Sequence, residues 1–369
     1  MQRERHNDFG GAIHYVYPSG PKEDLIIQGC TFDYCNATNG AALYLRPLRE
    51  TGITLKNNTV QNCQSPRHII FIQFQTAASE FAMNQWTFIN NKAQNTANYE
   101  DGGGSGIFII NENQQSFNLT FQDCNWTYNK APEEGGAYSL GHTEECNMIN
   151  LFFEHCTFIS NQALQNYAGA LWFKMKSSIS IRKCNFTNNK AMSQTSIGGA
   201  IYFHPECNSS INIIETNFAR NSAIDGHSLY LSNKLDYVNI EDSTIESNGN
   251  INSSIVSYCP ELRLYNTILG NGAYTLANRA LHVLAKCHLT IEKCQINNCY
   301  AQDTGSLGNG EGSGIRYQIV DTSNQIDEAI SIRETTFTNC RGNDGAALKL
   351  YVSNNITFEG NTIQNCRQG

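Results

Sequence analysis

The 369-residue chain carries 25 Lys+Arg against 33 Asp+Glu, a net charge of −8, so it lacks the clustered cations on which nucleic-acid affinity depends. Hydrophobic residues make up 40% and charged residues only 16%, where about 25% charged is usual for globular domains. Uncharged polar residues fill the gap, above all 45 Asn beside 29 Gly, which favour turns over helix interiors and argue against a mainly helical protein. No apolar run approaches the ~18–20 residues of a membrane span, so no membrane insertion by this segment is expected.

In chain order the first unit is a small-residue corner, Gly10-Gly11-Ala12-Ile13, then the alternating pair Leu25/Ile27, then Phe32 and Cys35. The same order recurs to the end of the chain, anchored on Phe32, Val60, Phe88, Trp126, Phe158, Phe186, Phe218, Ile245, Ile268, Ile296, Phe337 and Ile363. Three residues after each anchor stands Asn or Cys: Cys35, Cys63, Asn91, Asn129, Asn161, Asn189, Asn221, Asn248, Asn271, Cys299, Cys340 and Cys366. Five and seven residues before the anchor the chain is apolar, as at Ile53/Leu55, Leu119/Phe121 and Ile179/Ile181, which is the spacing-two signature of a strand. The ninth repeat departs, its Leu262 and Leu264 sitting one residue off. Small-residue corners recur at Gly135-Gly136-Ala137, Gly198-Gly199-Ala200 and Gly345-Ala346-Ala347, and degenerate around His68-Ile69 and Ser253-Ser254.

A unit of two or three short strands cannot bury its apolar face alone, so neighbouring units must stack. The expected fold is all-β, a single parallel β-helix of about twelve coils spanning residues 1–369, with variable loops. Asn91, Asn129, Asn161, Asn189, Asn221, Asn248 and Asn271 would form an inward ladder, each amide bonding backbone and the next Asn.

The GGA[I/L] corner and the Phe-x-x-Asn element, present as Gly10–Ile13, Gly198–Ile201, Phe88–Asn91, Phe158–Asn161, Phe186–Asn189 and Phe218–Asn221, resemble the repeats of chlamydial polymorphic outer membrane proteins and their protist relatives. The resemblance covers nearly the whole chain. It implies a right-handed β-helix with a surface adhesive or structural role and no catalytic residues. The bacterial family ends in a membrane β-barrel, and none is expected within these 369 residues.

Fourteen Cys and eight Asn-x-Ser/Thr sequons, at Asn36, Asn57, Asn118, Asn125, Asn185, Asn208, Asn252 and Asn355, point to an extracellular or cell-surface glycoprotein. No signal peptide is evident, which suggests a segment of a longer polypeptide. Stacked coils hold equivalent Cα atoms ~4.8 Å apart, inside the disulfide range. Cys35–Cys63, Cys259–Cys287 and Cys340–Cys366 are therefore disulfide candidates. The inward run Cys124, Cys156 and Cys184 reads instead as buried free thiols acting as small hydrophobes.

Polysaccharide-active β-helices place carboxylates with Arg or Lys on one outward face. Here that column, four before the anchor, mixes charges (Gln122, Glu154, Arg182, Ile214, Glu241), and only Asp123, Glu154 and His155 offer a constellation. No Cys-x-x-Cys or His-Glu-x-x-His occurs, and Gly310-x-Gly312-x-Gly314 lies in a polar loop, so no cofactor or metal is expected.

An outward column carries Tyr44, Ile70, Phe108, Trp172, Tyr202 and Tyr230, interrupted by Ser139. It is either a partner-contact stripe or a surface covered by the loop that follows. A Thr/Asn column (Thr31, Thr59, Thr87, Asn125, Thr157, Asn185) resembles the array of ice-binding β-solenoids, but its companion column is mixed.

The function expected is a non-enzymatic adhesive scaffold or filament subunit. Its partner would be a further copy of itself, a host or cell-surface protein, or a glycan. A polysaccharide-binding or polysaccharide-degrading enzyme is the alternative, with ice binding more remote. No caps are apparent at either end, so covering by further chain or by a head-to-tail copy is expected.

Overall fold

The computed structural model describes residues 10–16, 25–46, 53–74, 80–94, 107–111, 117–132, 134–140, 149–165, 167–174, 177–205, 208–246, 253–270, 279–301, 313–321, 328–342, 345–351 and 355–367. They form strands and turns with no helix among them. Three long sheets of twelve parallel strands each make up a β-solenoid.

Each coil visits the sheets in one order. Ile13–Val16 lies in the first sheet, Leu25–Gln28 in the second and Thr31–Asp33 in the third, before Leu43–Arg46 re-enters the first. A five-stranded strip (Gln64–Ser65, Lys92–Ala93, Lys130–Ala131, Gln162–Ala163, Lys190–Ala191) follows the third sheet over the middle coils. Apolar alternation makes the second sheet: Ile149–Glu154 buries Ile149, Leu151 and Phe153 and turns Asn150 and Phe152 outward.

Two corners per coil are turned by a single left-handed residue. Between the second and third sheets these are Gly29, Asn57, Gln85, Asp123, His155, Lys183, Glu215, Asp242, Asn266, Lys293, Glu334 and Gly360, with φ from +46° to +66°. Such φ values are strained for non-glycine residues. Parallel pairing sustains them, since each corner N–H donates to the next coil, as Asp123 N–H does to the Glu154 carbonyl at 3.0 Å. The GGA corner needs both its glycines for separate reasons. Gly198 has φ +69°, and a Cβ on Gly199 would lie 2.0 Å from the His227 carbonyl oxygen of the next coil.

The anchors stack face to face through the core. Phe88–Trp126, Trp126–Phe158, Phe158–Phe186 and Phe186–Phe218 have ring centroids 4.6–5.3 Å apart and planes within 5–7°. Beside them runs the amide ladder. Asn91, Asn129, Asn161, Asn189 and Asn221 are 0–1% exposed. Each Nδ2 in the run donates to the anchor carbonyl of the coil before, as Asn161 does to Trp126 at 3.0 Å and Asn221 to Phe186 at 2.9 Å. Asn248 and Asn271 lie outside the described residues.

Two register expectations are corrected. In the ninth coil Leu269, not Ile268, pairs with Ile245 and Ile296, so Leu269 is the anchor and Asn271 falls off the +3 position. This explains the apparent slip of Leu262 and Leu264, which pair in register with Val238 and Ile240. In the first sheet Ile70 pairs with Leu43 and faces the core, while Phe71 pairs with Tyr44 and takes the outward place assigned to Ile70. A one-residue error flips a strand's faces, and the His68-Ile69 corner has no GGA to mark the count.

Candidate functional site

The outward column of the first sheet runs His14, Tyr44, Phe71, Phe108, Ser139, Trp172, Tyr202, Tyr230, Val256, His282, Arg316 and Lys349. The side chains of Phe108 and Ser139 lie outside the described set. Tyr44 and Phe71 stack at 4.9 Å and 8°, yet both are only 8% exposed, with Trp172 at 5% and Tyr202 at 6%. Of the two readings of this column, an open partner-contact stripe and a covered surface, the burial fits the second: a covered aromatic layer outside the solenoid wall. Around Trp172 and Tyr202 the layer includes Tyr167 and Ile197 from the corner segments, with Tyr230 half-buried beside them.

Further along, the same column turns polar. Arg279 and Arg316 are each 7% exposed and flank His282, whose Nε2 is buried without a hydrogen-bond partner. Burial, reinforced by the two guanidiniums, depresses the His282 pKa to about 3, so the imidazole is neutral at physiological pH. Asp225, at the corner two coils earlier, is raised to about 6 by burial. The backbone N–H groups of Gly226 and Ser253 and the charge of Arg279 oppose that rise. His282 and Arg316 have no sequence signature beyond their place in the column, and Asp225 and Arg279 lie outside it.

The acid/base constellation sought in the sequence assembles only in part. His155 Nδ1 and Asp123 Oδ1 are 3.6 Å apart, with side chains 44% and 46% exposed. Glu154 pairs along the second sheet with Gln122 and Arg182. Among the described residues no group of three or more His, Cys, Asp or Glu could hold a metal.

A denser cluster emerged four coils further along the second sheet, hidden by the ninth-coil register. Tyr265, not Leu264, is the outward residue there, paired with Glu241 and Glu292. Arg263 and Lys293 approach its ring at 5.4 and 5.2 Å, and Lys293 Nζ donates to its hydroxyl at 3.2 Å. Asn266 Nδ2 donates to Asp242 Oδ1 at 2.6 Å beside them. A shallow notch of about 200 Å³ opens there, lined by Asp242, Asn266, Lys293 and Gln295 among others. Counting the apolar alternation through the ninth repeat from Leu262 would have revealed Tyr265.

The sequon asparagines sit outside the wall. Asn36, Asn57, Asn118, Asn125, Asn208 and Asn355 are exposed; Asn185 is half-buried, its Oδ1 accepting from Thr187 and Asn217. Asn252 lies outside the described residues. The Thr/Asn column is in register from Thr31 to Thr244, with Thr157 Oγ1 donating to Asn125, and Ile268 then breaks it.

All twelve described cysteines are free thiols. The proposed partners are nevertheless neighbours: Cys63 interacts with Cys35, Cys287 with Cys259, and Cys340 with both Cys366 and Cys299. The inward thiols are more than small hydrophobes. Cys156 Sγ donates to the Phe121 and Glu154 carbonyls, both at 3.3 Å. Thr216 and Thr267 make the same pair of bonds through their hydroxyls.

No family model matches the chain, and no curated protein matches it. Among solved structures it is similar to a mutant of the periplasmic alginate epimerase AlgG, at 11% identity and TM-score 0.37, over 87% of this chain and 78% of that one. A likeness of that degree carries nothing about activity; what the geometry itself establishes is the parallel β-solenoid.

Proposed function

We propose that this chain is a non-enzymatic stretch of an extracellular or cell-surface β-solenoid glycoprotein, an adhesive scaffold or filament subunit of the GGAI/Phe-x-x-Asn repeat kind. The observation that carries this reading is the placement of the sequons: six of them lie exposed on the solenoid exterior, where an oligosaccharide meets no core. The anchor stack from Phe88 to Phe218 and the amide ladder from Asn91 to Asn221 suit a rigid rod that displays surfaces to a second copy, a host protein or a glycan.

The second reading, a polysaccharide-binding or polysaccharide-degrading enzyme, is favoured by the cluster of Tyr265, Arg263, Lys293 and Glu292 on adjacent coils. Incubating the protein with a panel of acidic and neutral polysaccharides separates the two. The scaffold reading expects retention without chain cleavage, and release of oligosaccharides would overturn it. Imaging native material separates filament from adhesin.

A further inference from the structure

The strip that follows the third sheet carries charge of one sign. Its outward column runs Gln64, Lys92, Lys130, Gln162, Lys190 and Ser222 in register. The three lysines are exposed, and so is Arg220 at the corner just before Ser222. None of these four cations enters an ion pair among the described residues. From the second coil to the seventh, the third sheet and the strip comprise residues 57–66, 86–94, 124–132, 156–165, 184–194 and 216–224, and these hold no Asp or Glu. The chain as a whole is at −8. Lys92 and Lys130 stand on adjacent rungs, where like charges repel. Folding alone gives no reason for such a row.

Apolar groups border the cations. Two residues beyond the lysine column, Leu164, Met192 and Ile224 on three successive coils are 39%, 46% and 48% exposed. On the other flank Tyr128 is 56% exposed at its corner. No sequon asparagine stands in the column between Gln64 and Ser222 or in the row beside it, so glycosylation leaves this face open. Rungs repeat every ~4.8 Å, which puts Lys92 and Lys190 ~14 Å apart along the axis. A pyranose unit in an extended chain advances by roughly the same ~4.8 Å, so a polymer with one carboxylate per sugar keeps step with the rungs. An extended acidic peptide does not, because its same-face side chains recur only every ~6.6 Å. Sugar rings also bring apolar C–H faces for Tyr128 and Met192, and hydroxyls for the amides of Gln162 and Asn188.

We propose that the strip from Lys92 to Lys190 docks a linear polyuronate lying along the solenoid axis, with its carboxylates on Lys92, Lys130 and Lys190. Its sugar faces pack against Tyr128, Leu164 and Met192. The inference rests on the scaffold reading above and gives it a partner: the rod holds an acidic glycan without cutting it. Lysines supply point charges that follow the carboxylates as the sugar chain flexes, rather than a fixed bidentate fork.

The test is binding of the full chain to immobilised polygalacturonate, beside the fully methyl-esterified polymer, whose backbone is the same and whose carboxylates are neutral. The wild type is expected to bind the acid and not the ester, and more weakly as salt rises. Lys92→Gln with Lys130→Gln should weaken binding about fivefold, the size of two exposed ion-pair contacts. Glutamine already stands in this column at Gln64 and Gln162, so the fold is kept. Lys56→Gln with Lys234→Gln removes the same charge from exposed positions off the strip and should weaken binding by no more than about twofold, since distant surface charges are screened. A wild type that binds neither polymer, or both equally, would overturn the assignment, as would equal weakening by the two double variants. Tighter binding to polyglutamate or to phosphatidylserine vesicles than to polygalacturonate would give the face to an acidic protein or a membrane and overturn it too. None of these results touches the scaffold reading, which is overturned instead by release of oligosaccharides from the polymer.

Discussion

The backbone N–H and the side-chain Nδ2 of Asn161 converge on one oxygen, Oδ1 of Asn189, at 3.1 and 3.0 Å. The same amide nitrogen also donates to the Trp126 carbonyl one coil the other way. One side chain thus satisfies polar groups in three successive coils, all of them buried beyond the reach of water. Asn161→Ala leaves the Asn129 N–H without its acceptor and removes one donor from the Trp126 carbonyl. It is expected to cost about 1–3 kcal/mol in urea unfolding. A variant as stable as the wild type would show that the ladder is ornamental.

Trp126 lies between Phe88 and Phe158 at centroid distances of 5.3 and 4.6 Å and is fully buried. Trp126→Ala removes the middle ring of the stack and should destabilise by about 3–5 kcal/mol. Trp126→Phe, which keeps a ring as in the neighbouring coils, should cost distinctly less. Thermal melts of the two variants side by side check the ordering.

Gly199→Ala sets a Cβ 2.0 Å from a backbone oxygen of the next coil. Neither partner can yield without parting two coils, so the variant is expected to lose solubility or most of its cooperative unfolding signal. Gly29→Ala tests the other constraint alone, because its Cβ meets nothing within 4 Å while φ stays at +66°. It should cost only about 1–2 kcal/mol.

Two buried titratable groups, Asp225 at a corner and His282 on the first sheet, act in opposite directions with pH. Asp225 has its folded pKa raised from 3.8 to about 6, so its contribution is fully present below pH 3.8 and is lost as pH rises through 6. His282 has its folded pKa lowered from 6.5 to about 3. The unfolded imidazole takes up a proton that the folded one refuses, so stability is present above pH 6.5 and falls as pH drops toward 3. Asp225→Asn should remove the decline between pH 4 and 6, on the order of 3 kcal/mol, and His282→Gln the decline below 6.5, on the order of 5 kcal/mol. Urea midpoints across pH 3–8 would show it; parallel profiles for wild type and both variants would contradict it.

Expression through a secretory pathway should place glycans on the exposed sequons Asn36, Asn57, Asn118, Asn125, Asn208 and Asn355, with Asn185 under-occupied because its amide is half-buried and already hydrogen-bonded. Peptide mapping before and after glycosidase treatment reads the occupancy. Uniform absence of glycan would remove the main support for an extracellular setting.

The periodic features were legible in advance because stacking repeats them. An anchor, an Asn three residues on and alternation five and seven residues back describe the same environment in successive coils. The stacked rings from Phe88 to Phe218 and the ladder from Asn91 to Asn221 follow from that pattern alone. Legibility failed where the repeat loses its punctuation. Without a GGA corner the register slipped by one at Ile70, and the same slip at Ile268 hid Tyr265 and its two flanking cations.

Sequence by itself determined the architecture, because a coil too small to bury its own apolar face has only its neighbours to cover it, and the repeat says which residues face inward. Tertiary structure decided what lies outside the wall. The outward direction of Trp172 and Tyr202 is set by alternation along their strands, but their 5–6% exposure depends on segments folding over them, and no periodic signal governs those. The same holds for the neutral state of His282 between Arg279 and Arg316. These arise between coils, from residues 30 to 37 positions apart that the pattern treats as interchangeable.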